Sequence, residues 1–262
     1  MTSKVAVCTL CINDWYGEIV KYGVKTIQNW AEKHGYDFYV PNFVYDECPE
    51  KREYPWYKIK AIQYLQNLGG MKTYDYIIWI DADGHILKPE LDLEYFLLYA
   101  NGKDILCTKD VGGVLNTGVM IIKNTPRVYY LFNKVWYNEE EFDKSFHEQA
   151  SLSQIFTNNR FDAKNHIEIL PDEKQSILYT YWRTYYPDKT FFIHIARSAY
   201  DRSGLMYTMD HYCPIRMDED TDEEFQFRMR WLQDEKMCRG DIERWMNGGY
   251  RTNPSSRVKK LK

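Results

Sequence analysis

The sequence has no apolar run long enough to cross a bilayer. Its first apolar stretch, Lys4 to Leu10, is short and is not preceded by a basic leader. Neither a membrane anchor nor a secretory signal is expected, and the expected location is cytoplasmic. Basic residues are not in excess: 34 Lys and Arg stand against 38 Asp and Glu, a formal net charge of −4. That balance excludes a surface built throughout for nucleic acid. The six cysteines are scattered, and Cys8-x-x-Cys11 has no second pair to complete a zinc site. It reads as two reduced thiols on or beside a strand. Repeats and low-complexity tracts are absent, and a chain that is 44% apolar and 27% charged excludes wholesale disorder.

What is abundant is aromatic surface, 16% of residues including 23 Tyr and 8 Trp. That is more than a core of this size needs, and flat faces with polar tips suit sugar or base recognition. The length of 262 residues suits one sizeable α/β domain. A short apolar run at Lys4 to Leu10 is followed by helical spacing at Tyr16, Val20, Val24, Ile27 and Ala31, with Gly35 as the stop. Asp37 to Val40 reads as a second strand ended by Pro41, and such a β-α-β opening normally builds a parallel sheet. A polar loop over 41–54 precedes a helix from Trp56 to Leu68. Tyr76 to Ile80 is apolar without alternation, as in a strand buried on both faces. Val114 to Ile122 reads as a strand interrupted by Leu115-Asn116-Thr117-Gly118. Thr125-Pro126 is a helix start, His147 to Phe156 a helix, and Phe191 to Ile193 a late strand ending at His194. Residues 1–200 are expected to form the main domain. Residues 201–262 are expected to be a helical extension packed on it, with an acidic run at Asp218 to Glu224 and a basic end at Arg251 to Lys262. Weak contact of that end with anionic lipid is a second reading of a solvated tail.

The sharpest feature is Asp81-x-Asp83, directly after the apolar strand. Ligands of open α/β sheets bind beyond the carboxyl ends of the strands. Two carboxylates spaced this way can share a hard divalent cation that bridges to phosphate oxygens. The same spacing recurs at Asp218/Asp220 and Asp220/Asp222, but only the first pair follows a buried strand.

In their order along the chain, five blocks resemble a GT-A fold nucleotide-sugar glycosyltransferase, closest to glycosyltransferase family 34 (galactosyl-, mannosyl- and xylosyltransferases). They are the early strand ending near Thr9, Trp56-Tyr57-Lys58, Tyr76 to Asp83, Glu148-Gln149-Ala150-Ser151 after Leu115-Asn116-Thr117-Gly118, and Phe192-Ile193-His194. The resemblance implies a Rossmann-like, mostly parallel central sheet flanked by helices. It implies Mn²⁺ or Mg²⁺ held by Asp83 and His194, with Asp81 on the metal or the donor ribose. It further implies that Thr9, Lys58 and Arg197 help hold a nucleotide-sugar donor, a UDP sugar by preference, the two bases on its phosphates. Asn116, Glu148 and Gln149 would lie at the donor sugar, where the family usually has Asp in place of Glu148. The implied reaction is retaining transfer of a hexose or pentose to a glycan acceptor by front-face attack. Whether Glu148 or Gln149 faces the anomeric carbon stays open, and a covalent route would need the former. Aromatic residues of Tyr36 to Tyr57 and Tyr179 to Tyr200 are expected to supply part of an acceptor groove. The family's eukaryotic members usually carry a membrane anchor, so a bacterial or viral origin is expected here. Two other classes use overlapping features. A haloacid-dehalogenase-type phosphatase would carry its Asp-x-Asp on the first strand followed by Thr or Val, whereas Gly84-His85 follows here. A non-catalytic glycan-binding protein on a transferase scaffold would not need Asp81, Asp83, Asn116, Gln149 and His194 all intact.

Overall fold

The protein is described by a computed structural model for residues 3–12, 14–68, 74–110, 113–141, 146–181 and 190–194. The opening apolar run is β1 (Val5–Cys8), and the helical spacing after it is α1 (Asp14–Lys33). At the stop of α1, Gly35 takes a φ of 70°, its N–H bonds Glu32 O, and Tyr36 N–H bonds Ala31 O, so the last carbonyls are paired. β2 (Asp37–Tyr39) lies parallel to β1 and completes the β-α-β unit. The loop beyond it contains a one-turn helix, α2 (Val44–Glu47). The helix expected from Trp56 is a 3-10 turn (Tyr54–Trp56) running into α3 (Tyr57–Gln66).

β3 (Tyr76–Ile80) takes the bounds its composition demands, and β4 (Gly84–Ile86) follows after three residues. α4 (Leu93–Leu97) starts at Asp92, whose carboxylate accepts from Tyr95 N. β5 (Ile105–Lys109) and β6 (Leu115–Lys123) come next. The interruption expected at Leu115 to Gly118 is corrected here: those residues open β6, and a register shift opposite Leu106/Thr108 absorbs the irregularity. α5 (Pro126–Trp136) begins at the expected cap, with Thr125 accepting from Val128 N. α6 (His147–Thr157), α7 (Ala163–His166), β7 (Ile167–Ile169), β8 (Thr180–Tyr181) and β9 (Phe192–His194) complete the described α-helices and strands.

The main sheet has the order β2-β1-β3-β6-β5-β7. Only β6 opposes its neighbours, β3 and β5; the pairs β2/β1, β1/β3 and β5/β7 are parallel. The sheet is therefore mixed but mostly parallel, with apolar cores on both faces. Along β3, Ile77 and Trp79 point to the core that includes Ile59, Ile62, Phe132 and Leu152 of α3, α5 and α6. Ile78 and Ile80 point to the other, with Ile27 and Trp30 of α1 and Phe96 of α4. A second sheet, β4-β9-β8, begins where β3 ends. Its strands are too short to show a pattern in the sequence, and it proves to be the element that assembles the site. The expected extension over 201–262, with its basic end, lies outside the described residues.

Candidate active site at the join of two sheets

Asp81 is the first residue beyond β3 and Asp83 the last before β4, so the motif is the link between the two sheets. His194 ends β9 and pairs directly with Gly84. Strand pairing thus brings His194 to Asp83 across 111 residues, with Nε2 2.9 Å from Asp83 Oδ1 and 3.8 Å from Asp81 Oδ2. Two glycines permit the approach. A Cβ at Gly84 would collide with the Ile193 carbonyl and the Phe192 ring. One at Gly118 would lie 2.9 Å from Asn116 Oδ1 and 3.3 Å from both Asp81 Oδ2 and His194 Nδ1. Gly118 therefore marks the point around which the acidic pair, the histidine and Asn116 converge.

A second layer lies behind them. Lys58, on α3, donates from Nζ to Asp81 Oδ1 at 2.9 Å, Glu148 Oε1 at 3.0 Å, and Thr117 O and Oγ1 at 3.1 Å each. Thr117 Oγ1 also donates to Glu148 Oε1, and the Trp79 indole donates to Asp81 Oδ1 at 2.7 Å. Gln149 Oε1 accepts from Asn116 Nδ2 and Thr117 N, while its Nε2 donates to Asp110 Oδ2 at 3.0 Å. Asn116 Oδ1 accepts from Gly118 N at 2.7 Å. The residues Phe146 and His147, just before Glu148, both have positive φ, a strained entry to α6 that aims its first turn at β6.

The electrostatics follow from this crowding. Burial opposes a charge on Lys58, but the Asp81 and Glu148 carboxylates outweigh it and raise its pKa, so the amine stays an ammonium. Burial likewise opposes charge on His194; the Asp83 carboxylate and, behind it, Asp81 overcome both burial and Lys58 and raise its pKa. Relative exposures are 6% for Lys58, 5% for Asp83, 3% for Glu148 and 6% for His194. Among the described residues the carboxylates of Asp81, Asp83 and Glu148 gather around the single Lys58 ammonium and the His194 imidazole, an acidic, largely buried setting that suits a divalent cation.

The donor set fits such an ion. Asp81, Asp83 and His194 each offer an atom within 4.8 Å of the others. Ligand atoms about 2.1 Å from one cation stand about 3 Å apart when adjacent; His194 Nε2 and Asp83 Oδ1 match this at 2.9 Å, and Asp81 Oδ2 stands wider, 3.8 Å from the same nitrogen. Two carboxylates and an imidazole suit a borderline cation such as Mn²⁺. Cys8 and Cys11 do not join the group. Burial keeps both thiols protonated, with Cys11 pushed up to about 12 by burial and then by Asp83.

These geometric relations sit in a fold with known relatives. The structure superposes on a glycosyltransferase involved in glycosylation of the major capsid of PBCV-1, with a TM-score of 0.61 and 16% identity over 78% of this chain and 99% of that one. The fold is that of a glycosyltransferase. A second match is the glycosyltransferase GlyE of Streptococcus pneumoniae TIGR4, with a TM-score of 0.52 and 14% identity; it covers 88% of this chain, which spans 64% of GlyE. No protein-family model matches the sequence, and no curated protein matches it. Identities this low carry the fold, and the site must be argued from its own atoms.

Of the residues expected at the site, Lys58, Asp81, Asp83, Asn116, Glu148, Gln149 and His194 lie in one connected group. Lys58 differs from expectation in its contacts: its three N–H donors face four oxygens of the protein, so none is left over for a phosphate. Thr9 is buried one residue past β1, and its hydroxyl has no hydrogen-bond partner among the described residues. Arg197 lies outside the described residues. So do Trp182, Tyr185, Tyr186 and Tyr200 of the second aromatic stretch, while Tyr179, Phe191 and Phe192 are core residues. In the first stretch Trp56 and Tyr57 are buried, and Phe43 and Tyr54 are exposed. Sequence reasoning missed four partners. Trp79 carried a signal, since residues two apart on a strand share a face. Thr117, Asp110 and Tyr179 meet the site only through tertiary packing. Among the described residues, no helix is long and apolar enough to cross a membrane.

Proposed function

We propose that this protein is a metal-dependent, retaining glycosyltransferase resembling family 34, which moves a hexose or pentose from a nucleotide diphosphate sugar, a UDP sugar by preference, to a glycan acceptor. The observation that carries the reading is the convergence of Asp81, Asp83 and His194 with the Asn116 side chain around Gly118. In that reading Asp83 and His194 Nε2 hold the cation, and Asp81 reaches it or the donor ribose. A bound Mn²⁺ or Mg²⁺ supplies Lewis-acid stabilisation to the diphosphate as it departs.

The chain's own residues do the rest. Lys58 fixes Asp81 and Glu148 instead of reaching for phosphate; Arg197 and Thr9 remain proposed donor contacts. The Asn116 and Gln149 amides, locked together and to Asp110, present polar atoms to the donor sugar. Glu148 Oε1 is bound to Lys58 and Thr117 while its Oε2 has no hydrogen-bond partner among the described residues, and in this reading the ion pair with Lys58 is what disfavours Glu148 as a nucleophile. Gln149 is neutral. Front-face attack follows: the bond from the anomeric carbon to phosphate oxygen breaks, the acceptor oxygen bonds on the same face, and its proton passes to the departing phosphate. The acceleration then comes from positioning and electrostatics.

A screen of sugar nucleotides with Mn²⁺, reading nucleoside diphosphate release, tests this. One donor is expected to turn over, with loss of roughly 10²–10³-fold in Asp83→Asn; turnover indifferent to chelator and to that change would remove the metal from the scheme. Glu148→Gln is expected to keep turnover within about tenfold, whereas a covalent route would abolish it.

A further inference from the structure

The nitrogen of His194 that faces away from the carboxylates has its own partner. Nδ1 lies 2.9 Å from the hydroxyl of Tyr179, in a buried contact between residues on β9 and just before β8. The two rings also pack edge to face with centroids 5.3 Å apart, and the Phe192 ring lies tilted beside the imidazole with centroids 6.2 Å apart. Tyr179 is a core residue whose ring is held by the apolar face that includes Leu178 and Phe191. The position of its hydroxyl is therefore fixed by packing.

An imidazole facing both a carboxylate and a cation site has two jobs. Without a cation, a neutral ring places its proton on Nε2, toward Asp83, and Nδ1 needs a donor. With a cation on Nε2, that lone pair is used and the single ring proton resides on Nδ1, which then needs an acceptor. A carbonyl or carboxylate at Nδ1 serves only the second state. A phenol serves both, because it donates in one and accepts in the other.

We propose that Tyr179 is the positioning residue of this site: its hydroxyl switches between donor and acceptor, so that His194 keeps one ring orientation while its proton changes nitrogen. This rests on the cation reading of Asp81, Asp83 and His194. Partners that fix the ring of a metal-binding histidine typically account for 10–100-fold in affinity.

Free Mn²⁺, followed by its electron paramagnetic resonance signal, is titrated with the full chain as wild type, Tyr179→Phe and Asp83→Asn. Tyr179→Phe keeps the ring and its packing, and is expected to bind roughly 10–100-fold more weakly with an unchanged circular dichroism spectrum. Affinity within about twofold of wild type, while Asp83→Asn has lost binding, overturns the role of Tyr179 and leaves the cation reading standing. Binding that survives Asp83→Asn overturns the cation reading instead. A second measurement does not depend on the variant folding. At a pH alkaline enough for the cation-free ring to be neutral, nitrogen-15 spectra of histidine-labelled wild type are expected to show the His194 proton on Nε2 without Mg²⁺ and on Nδ1 with saturating Mg²⁺. A proton that stays on Nε2 in both overturns the proposal.

Discussion

At Lys58 a single buried ammonium stands between the buried Glu148 carboxylate and the partly exposed one of Asp81, and its removal has a definite sign. Lys58→Met preserves the stem and volume but leaves Asp81 and Glu148 facing each other without a counter-charge. We expect a loss of about 3–5 kcal/mol, the usual result of breaking a buried pair from one side, measured by urea denaturation. A loss below about 1 kcal/mol would mean that the two acids protonate or move apart. Part of this site was legible from residue identities alone. Asp81-x-Asp83 stood out because five apolar residues precede it, and His194 because a late apolar strand does. What Lys58 meets was not legible, since a helical position says which way an amine faces and nothing about which acids come to it. The same holds for Asp110 and Tyr179, whose contacts span 39 and 15 residues.

At the scale of elements, the deciding one is the three-residue strand β4. Gly84 lies so close to β9 that no side chain fits, and Gly84 is also the residue opposite His194. Gly84→Ala should therefore force β4 and β9 apart and carry His194 from Asp83. We expect destabilisation of about 1–3 kcal/mol, as for overpacked cores, together with loss of Mn²⁺ binding, followed by calorimetric titration. Retained binding would show that the histidine reaches the acids without that pairing. Elements with strong local signals were legible: α1 through its spacing and Gly35, β3 through its unbroken apolar run, α5 through Thr125-Pro126. The small sheet was not, because strands of two or three residues have no periodicity and are held by distant partners. β6 was half legible: Asn116 and Gly118 look like a turn, yet Asn116 pairs with Thr108 of β5, and the Gly118 carbonyl accepts from Asp81 N just past β3.

For the whole molecule, the prediction joins protonation to the ion. The pKa of His194 is raised above its ordinary 6.5 in the folded protein. Its protonated form therefore adds stability below the unfolded value, and that contribution is lost as pH rises through the folded value. A cation takes the same nitrogen, so protons and metal compete. The increase in Tm on adding Mn²⁺ should be larger near pH 8 than near pH 6; equal increases would mean that His194 is not a ligand. Global architecture was legible to the extent that a β-α-β opening implies parallel strands and helices on both faces. The reversal of β6 was not, since no residue in it encodes a direction.

The join between the sheets has one more consequence. Because one partner of the cluster comes from the end of β3 and the other from the end of β9, an ion seated there works as a clasp on a loop of more than a hundred residues. Closing such a loop costs chain entropy only once, and the clasp returns it as added protection wherever the ends meet. Saturating Mn²⁺ should slow hydrogen exchange first at the amides of Ile193 and His194, before any change at β1, so that the ion is felt as mechanical order before it is felt as chemistry.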